Sequence, residues 1–125
     1  MPLSRGYLDY VLEQLGALGA VRARRMFGAA GLYCDELFFG IVSHDTLYLR
    51  TDERSRPDYV ARGMEAFRPY ADRPDVSMSY FAVPAEVLEE PGELAAWGRG
   101  AVEAARKASS ARVPRKRRPS ARRPR

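Results

Sequence analysis

The chain has 125 residues, 46% hydrophobic and 30% charged, with one Cys and one His. That length suits one domain with a usable core and falls short of two, while the lone Cys34 excludes an intramolecular disulfide and, with a single His44, the four-ligand Cys/His zinc centres. The net charge of +5 is unevenly spread: residues 1–107 carry 13 Lys and Arg against 16 Asp and Glu, a balance of −3, and residues 108–125 carry 8 basic and no acidic side chains.

At the N-terminus Tyr7, Leu8, Val11, Leu12 and Leu15 fall at helical spacing, with Ser4 as N-cap and Gly16 and Gly19 as stops, which predicts a helix over about 4–17. Between Arg24 and Thr51 three β-rich runs follow, MFGAAGLYC, LFFGIVS and TLYLRT, separated by Asp35-Glu36 and His44-Asp45. They read as antiparallel strands, with Gly28, Gly31 and Gly40 as bends or bulges. Asp52 or Ser55 caps a second helix that has Pro57 in its first turn and ends at Gly63. Phe67 to Tyr70 and Val76 to Val83 are two further strands, joined by the polar turn ADRPD.

After Pro84, PAEVLEE forms a short helical turn, and Pro91 opens a last helix through Lys107 with Leu94, Trp97, Ala101 and Ala105 as its buried stripe. Gly98 and Gly100 each cost that helix about 1 kcal/mol relative to Ala, a cost that close packing against the sheet would offset. From Ala108 onward Val113 is the only large apolar residue and Pro114, Pro119 and Pro124 interrupt helix formation, so a disordered arm is expected. The predicted fold is α+β: two layers, an antiparallel sheet of about five strands with helices, in the order α-β-β-β-α-β-β-α. The domains expected are 1–107, folded, and 108–125, a disordered basic tail.

No apolar run approaches the roughly 18 residues of a transmembrane helix, and Met1 to Gly6 lacks a basic n-region followed by an apolar h-region. A soluble cytoplasmic protein with no membrane contact is the expectation.

The blocks Met26-Phe27-Gly28, Gly31-Leu32-Tyr33, Leu47-Tyr48-Leu49, Met78-Ser79-Tyr80 and Leu94 with Trp97 occur in one order along the chain. Together they resemble the N-terminal domain of the TfoX/Sxy family over about residues 4–107. The resemblance implies a two-layer α+β fold similar to secretion-chaperone-like domains, a bacterial protein linked to competence development and transcriptional control, and no enzymatic activity. Longer family members carry a second, helical C-terminal domain, whose place is taken here by the basic tail. The family's usual acidic-Gly turn after the second tyrosine block is Asp35-Glu36 in this sequence.

Candidate chemistry is sparse. Ser43-His44-Asp45 superficially gathers a nucleophile, a base and an acid, but roles of that kind depend on spatial convergence, and a hairpin turn is the expected reading. Asp35 and Glu36 beside Cys34 would raise its thiol pKa and leave it idle. Glu86, Glu89, Glu90 and Glu93 surround two helix starts, where negative charge is favourable, and Phe27 to Gly31 lacks the spacing and Lys of a phosphate loop. No catalytic residue, metal ligand or cofactor is assigned.

Two binding surfaces are expected. Tyr33, Tyr48, Arg50 and Tyr80 would share one sheet face that either serves ordinary core packing and half-burial or contacts a protein partner, with base stacking as a third reading; a homodimer is a further partner expectation. Arg112, Arg115, Lys116, Arg117, Arg118, Arg122, Arg123 and Arg125 would contact DNA or RNA without sequence preference. The function expected is a non-enzymatic regulator of the TfoX/Sxy type. Its alternative is a stand-alone chaperone-like protein-binding module with an inert tail.

Overall fold

A computed structural model describes residues 5–26, 28–68 and 79–117, with Met26 and residues 109–117 described by backbone alone. Helix α1 (Arg5–Gln14) turns Leu8 and Val11 inward, and a 3-10 turn (Leu15–Leu18) buries Leu15. Gly19, at φ 124°, then redirects the chain in a conformation that only glycine adopts readily.

Four strands follow as an antiparallel meander: β1 (Val21–Met26), β2 (Ala29–Cys34), β3 (Leu37–Ser43) and β4 (Thr46–Arg50). The sequence pattern predicts three strands here. The extra one is β1, whose VRARRM sequence is exposed from Arg22 to Arg25 and so lacks the apolar alternation that marks a half-buried strand. Gly28 is accordingly no bulge; it sits at φ 78° in the connection between β1 and β2.

The next two connections are tight. Asp35 and Glu36 join β2 to β3 with φ values of 52° and 67°, and His44 and Asp45 join β3 to β4 with 52° and 54°. Two central residues at positive φ match the hairpin turn whose twist fits the flanking strands. Among the described residues the one irregularity in pairing lies in β3: Leu32 faces Gly40 but Tyr33 faces Phe38, so Phe39 is an extra residue. Gly40, beside it, approaches β4 so closely that a Cβ would stand 3.2 Å from the Tyr48 carbonyl oxygen.

Asp52 starts the next element. Its Oδ1 accepts from the N–H groups of Arg54 and Ser55, both at 2.9 Å, while Ser55 Oγ accepts from the Asp52 N–H at 3.0 Å. This reciprocal cap leads into α2 (Arg56–Ala61), with Pro57 in the first turn and Gly63 at φ 73° after its end. Of the strand expected at Phe67 to Tyr70, the described part is a single bridge, Ala66 to Phe81, flanked by the Phe67 N–H to Tyr80 C=O bond at 2.7 Å. Pro69, Tyr70, the ADRPD turn and Val76 to Met78 lie outside the described residues. β5 (Tyr80–Ala82) then pairs with β4 and completes a five-stranded sheet in the order β1-β2-β3-β4-β5.

The short α3 (Ala85–Leu88) precedes α4 (Pro91–Arg117). α4 passes the end expected at Lys107 by ten residues and contains Pro114. Ala and Arg are good helix formers, and extending an existing helix is far easier than nucleating one. α4 packs across β3, β4 and the 3-10 turn. Leu94, Ala101 and Ala105 are buried as the stripe predicts, while Trp97 is only partly buried against the core. Gly98 meets Leu18 and Leu15 of the 3-10 turn, rather than the sheet, and Gly100 meets nothing within 4 Å. The core lies between the helices and one sheet face: Ala30, Leu32, Phe39, Val42, Leu47 and Leu49 meet Val11, Leu15, Leu94 and Ala101. This is the two-layer α+β fold expected.

Candidate protein-interaction face

Successive strand residues point to opposite faces. With Leu32, Leu47 and Leu49 turned to the helices, Tyr33, Tyr48 and Arg50 belong to the other face. Register places Arg22 opposite Tyr33, Tyr33 opposite Phe38, and Arg50 opposite Tyr80. The rings touch in sequence: Tyr33 to Phe38 at 5.2 Å between centroids and Phe38 to Tyr80 at 5.6 Å. A guanidinium closes each end, Arg22 at 5.6 Å from the Tyr33 ring and Arg50 at 5.5 Å from the Tyr80 ring. Arg50 Nη1 also donates to Tyr80 Oη at 3.2 Å.

Three of the four expected residues, Tyr33, Arg50 and Tyr80, therefore belong to one row. Tyr48 shares the face but pairs instead with Phe67, at 5.0 Å. Phe38, the centre of the row, is absent from the sequence prediction for a physical reason. Counting by twos from the core residue Val42 puts residue 38 among the helices; the bulge at Phe39 reverses the alternation, so Phe39 is 0% exposed in the core and Phe38 turns to the row. No local signal marks that bulge except the glycine next to it.

Tyr80 is 1% exposed, and Tyr33, Phe38, Tyr48 and Arg50 are half-buried. Burial pushes the Tyr80 hydroxyl above its ordinary pKa, against the opposing pull of Arg50, and burial followed by the Glu65 charge pushes Tyr48 the same way. Tyr48 and Tyr80 therefore present neutral phenols at neutral pH.

The other candidate residues have structural surroundings. Ser43 Oγ and His44 Nδ1 lie 3.1 Å apart beside the tight turn that His44 and Asp45 form, the hairpin the sequence predicts. Burial, then the Asp35 charge, pushes the Cys34 thiol up. Glu86 and Glu93 occupy the first turns of α3 and α4, and Glu86 pairs with Arg62 at 3.6 Å. Among the described residues no His, Cys, Asp and Glu group of three could hold a metal, and no helix is long and apolar enough to cross a membrane. Arg112, Arg115, Lys116 and Arg117 lie on the last turns of α4 by backbone, and Arg118, Arg122, Arg123 and Arg125 lie outside the described residues.

The family model of the TfoX N-terminal domain matches residues 13–105. The chain belongs to the TfoX N-terminal domain family. The matched span holds all five strands and the whole aromatic row, and it ends before the basic segment of residues 108–125. A TfoX-like regulatory role accords with that membership, and TfoX N-terminal domains are not a known enzyme family. A comparison with curated proteins finds no match.

Proposed function

We propose that this TfoX-type domain is a non-enzymatic regulator of competence or transcription that docks a protein partner on the helix-free face of its sheet, while residues 108–125 hold it weakly to DNA or RNA. The row Arg22, Tyr33, Phe38, Tyr80, Arg50 carries this reading. Aromatic rings and arginine are the side chains that concentrate binding energy at protein interfaces. Two features favour protein over nucleic acid on this face. The rings are tilted against one another by 31° and 41°, with Tyr80 buried and Tyr33 and Phe38 half-buried, not splayed for bases to stack between, and residues 1–107 carry a net charge of −3, which repels a polyanion.

Nucleic-acid contact is assigned to the eight basic residues after 107. If all eight meet phosphates, the logarithm of the binding constant for duplex DNA falls with the logarithm of salt concentration at a slope of at most about −7. The test uses the full chain throughout. In cells lacking the protein, Phe38→Ala with Arg50→Ala should fail to restore the wild-type transcript profile while remaining folded. Replacing the eight basic residues with Gln should abolish salt-dependent binding to random duplex DNA. Full restoration by the face variant would sink the docking assignment. A Gln variant that restores the profile fully would leave the domain as a chaperone-like protein-binding module with an inert tail.

A further inference from the structure

β1 stands first in the strand order, with β2 on one side and no strand of the described residues on the other. A free edge offers its outward N–H and C=O groups to any extended chain that reaches it, and the side chains decide which chain that is. Arg22, Ala23, Arg24 and Arg25 are all exposed. Strand alternation puts Arg22 and Arg24 on the aromatic side and Arg25 on the helix side, so cations flank the edge on both faces. Arg22 already holds Glu36 at 3.3 Å, an internal instance of what a carboxylate does there. Arg24 and Arg25 have no ion-pair partner among the described residues.

A second copy of this chain does not suit the edge. Only every second residue turns its N–H and C=O outward, so two antiparallel copies joined at this edge pair residues of like parity: one such register sets Arg22 opposite Arg24 and the next sets Arg24 opposite itself. Like charges directly opposite destabilise a strand pair, whereas opposite charges favour it.

We infer that the outer edge of β1 is a docking strand for an extended acidic segment of a partner protein, which adds to the sheet by backbone hydrogen bonds and sets carboxylates against Arg24 and Arg25. The arginines that block self-pairing also select the occupant. This inference builds on the proposed protein-contact role but uses a different surface, and its test reads β1 alone, so its failure leaves the aromatic row standing.

The experiment titrates the isotopically labelled full chain with the acetylated octapeptide Val-Glu-Glu-Val-Val-Glu-Glu-Val, which as a strand presents carboxylates on both faces. Amide shifts and exchange protection should concentrate in residues 21–26. Affinity should fall about ten-fold or more in Arg24→Glu/Arg25→Glu, and fall again as salt rises. On the unaltered protein, a peptide with proline at its two central Val positions, or with Lys for Glu, should not bind; these arms decide the matter even if the double variant misfolds. No binding by the Glu/Val peptide, equal binding by the proline peptide or by the folded double variant, or shifts confined to Tyr33, Phe38 and Tyr80 would overturn the assignment. Tighter binding of a short single-stranded DNA at the same β1 amides would give the edge to nucleic acid and overturn it too.

Discussion

Lys107 Nζ lies 2.8 Å from Asp52 Oδ2, joining the last helix to the turn that leaves β4. Asp52 is also the acceptor of the cap that begins α2, so one carboxylate serves three elements. The hydrogen bond from Lys107, then that from the Ser55 N–H, holds its carboxyl well below the ordinary carboxylate range. A group depressed on folding contributes stability that is complete above its unfolded pKa, near 3.9 for Asp, and is lost as pH falls through its folded pKa. Urea unfolding midpoints should therefore lose this contribution progressively below about pH 4. Asp52→Ala should cost about 1–2 kcal/mol at pH 7, mostly as lost capping because Lys107 is half-exposed, and should lose less further stability than wild type on acidification. An acid profile identical to wild type would show that Asp52 is not coupled to folding.

Gly100 and Gly98 separate backbone propensity from packing on the same helix. A Cβ at Gly100 meets open space, so Gly100→Ala should stabilise by about 0.5–1 kcal/mol through helix propensity. At Gly98 the Cβ would stand 3.1 Å from Leu18 Cδ2, so Gly98→Ala should gain clearly less, or lose, depending on how far that leucine shifts. Thermal melts of the two variants side by side make the comparison; equal gains would mean that the contact with Leu18 carries no cost.

Glu36 occupies a left-handed conformation, φ 67°, at the second position of its hairpin turn, where glycine is free of the Cβ clash. Glu36→Gly should raise stability by about 0.5–1 kcal/mol net, since the exposed pair with Arg22 that it removes contributes little. Differential scanning calorimetry would register an upward shift of a few degrees. A lower melting temperature would mean that the Arg22 pair matters more to the hairpin than the turn does.

Trp97 packs edge-on to Tyr59, with ring centroids at 4.7 Å and 76°, and Arg62 covers it at 5.1 Å. A half-buried indole leaves less cavity than a fully buried one, so Trp97→Ala should cost about 2–4 kcal/mol. Trp97→Phe should recover more than half of that loss in urea denaturation. A loss below about 1 kcal/mol would show the indole to be a surface cover and not part of the core.

The elements that bury a regular apolar stripe were legible in the sequence. Leu94, Ala101 and Ala105 at helical spacing locate α4, and the alternation in TLYLR locates β4 with Tyr48 and Arg50 on its second face. β1 was illegible because an edge strand exposed on both sides owes its place to hydrogen bonds with β2, which leave no mark on hydropathy. The site was half legible: tyrosines facing away from the helices follow from period two, but Phe38 depends on a register break set by the pairing of two strands. The end of α4 is not legible because prolines and charge predict a stop that the ease of extending a formed helix overrides.

The extra residue in β3 belongs to the core and not to the face. Deleting Phe39 would leave every other letter of the strand in place and restore strict alternation, with Val42, Gly40 and Leu37 following one another by twos on the helix side. Phe38 would stay opposite Tyr33, and the core would lose a ring that is 0% exposed. Variation in this domain is thus read on two separate scales: substitutions tune the strength of the face, whereas a single in-frame codon loss at Phe39 would weaken the layer beneath it without altering the face's composition or the chain's charge.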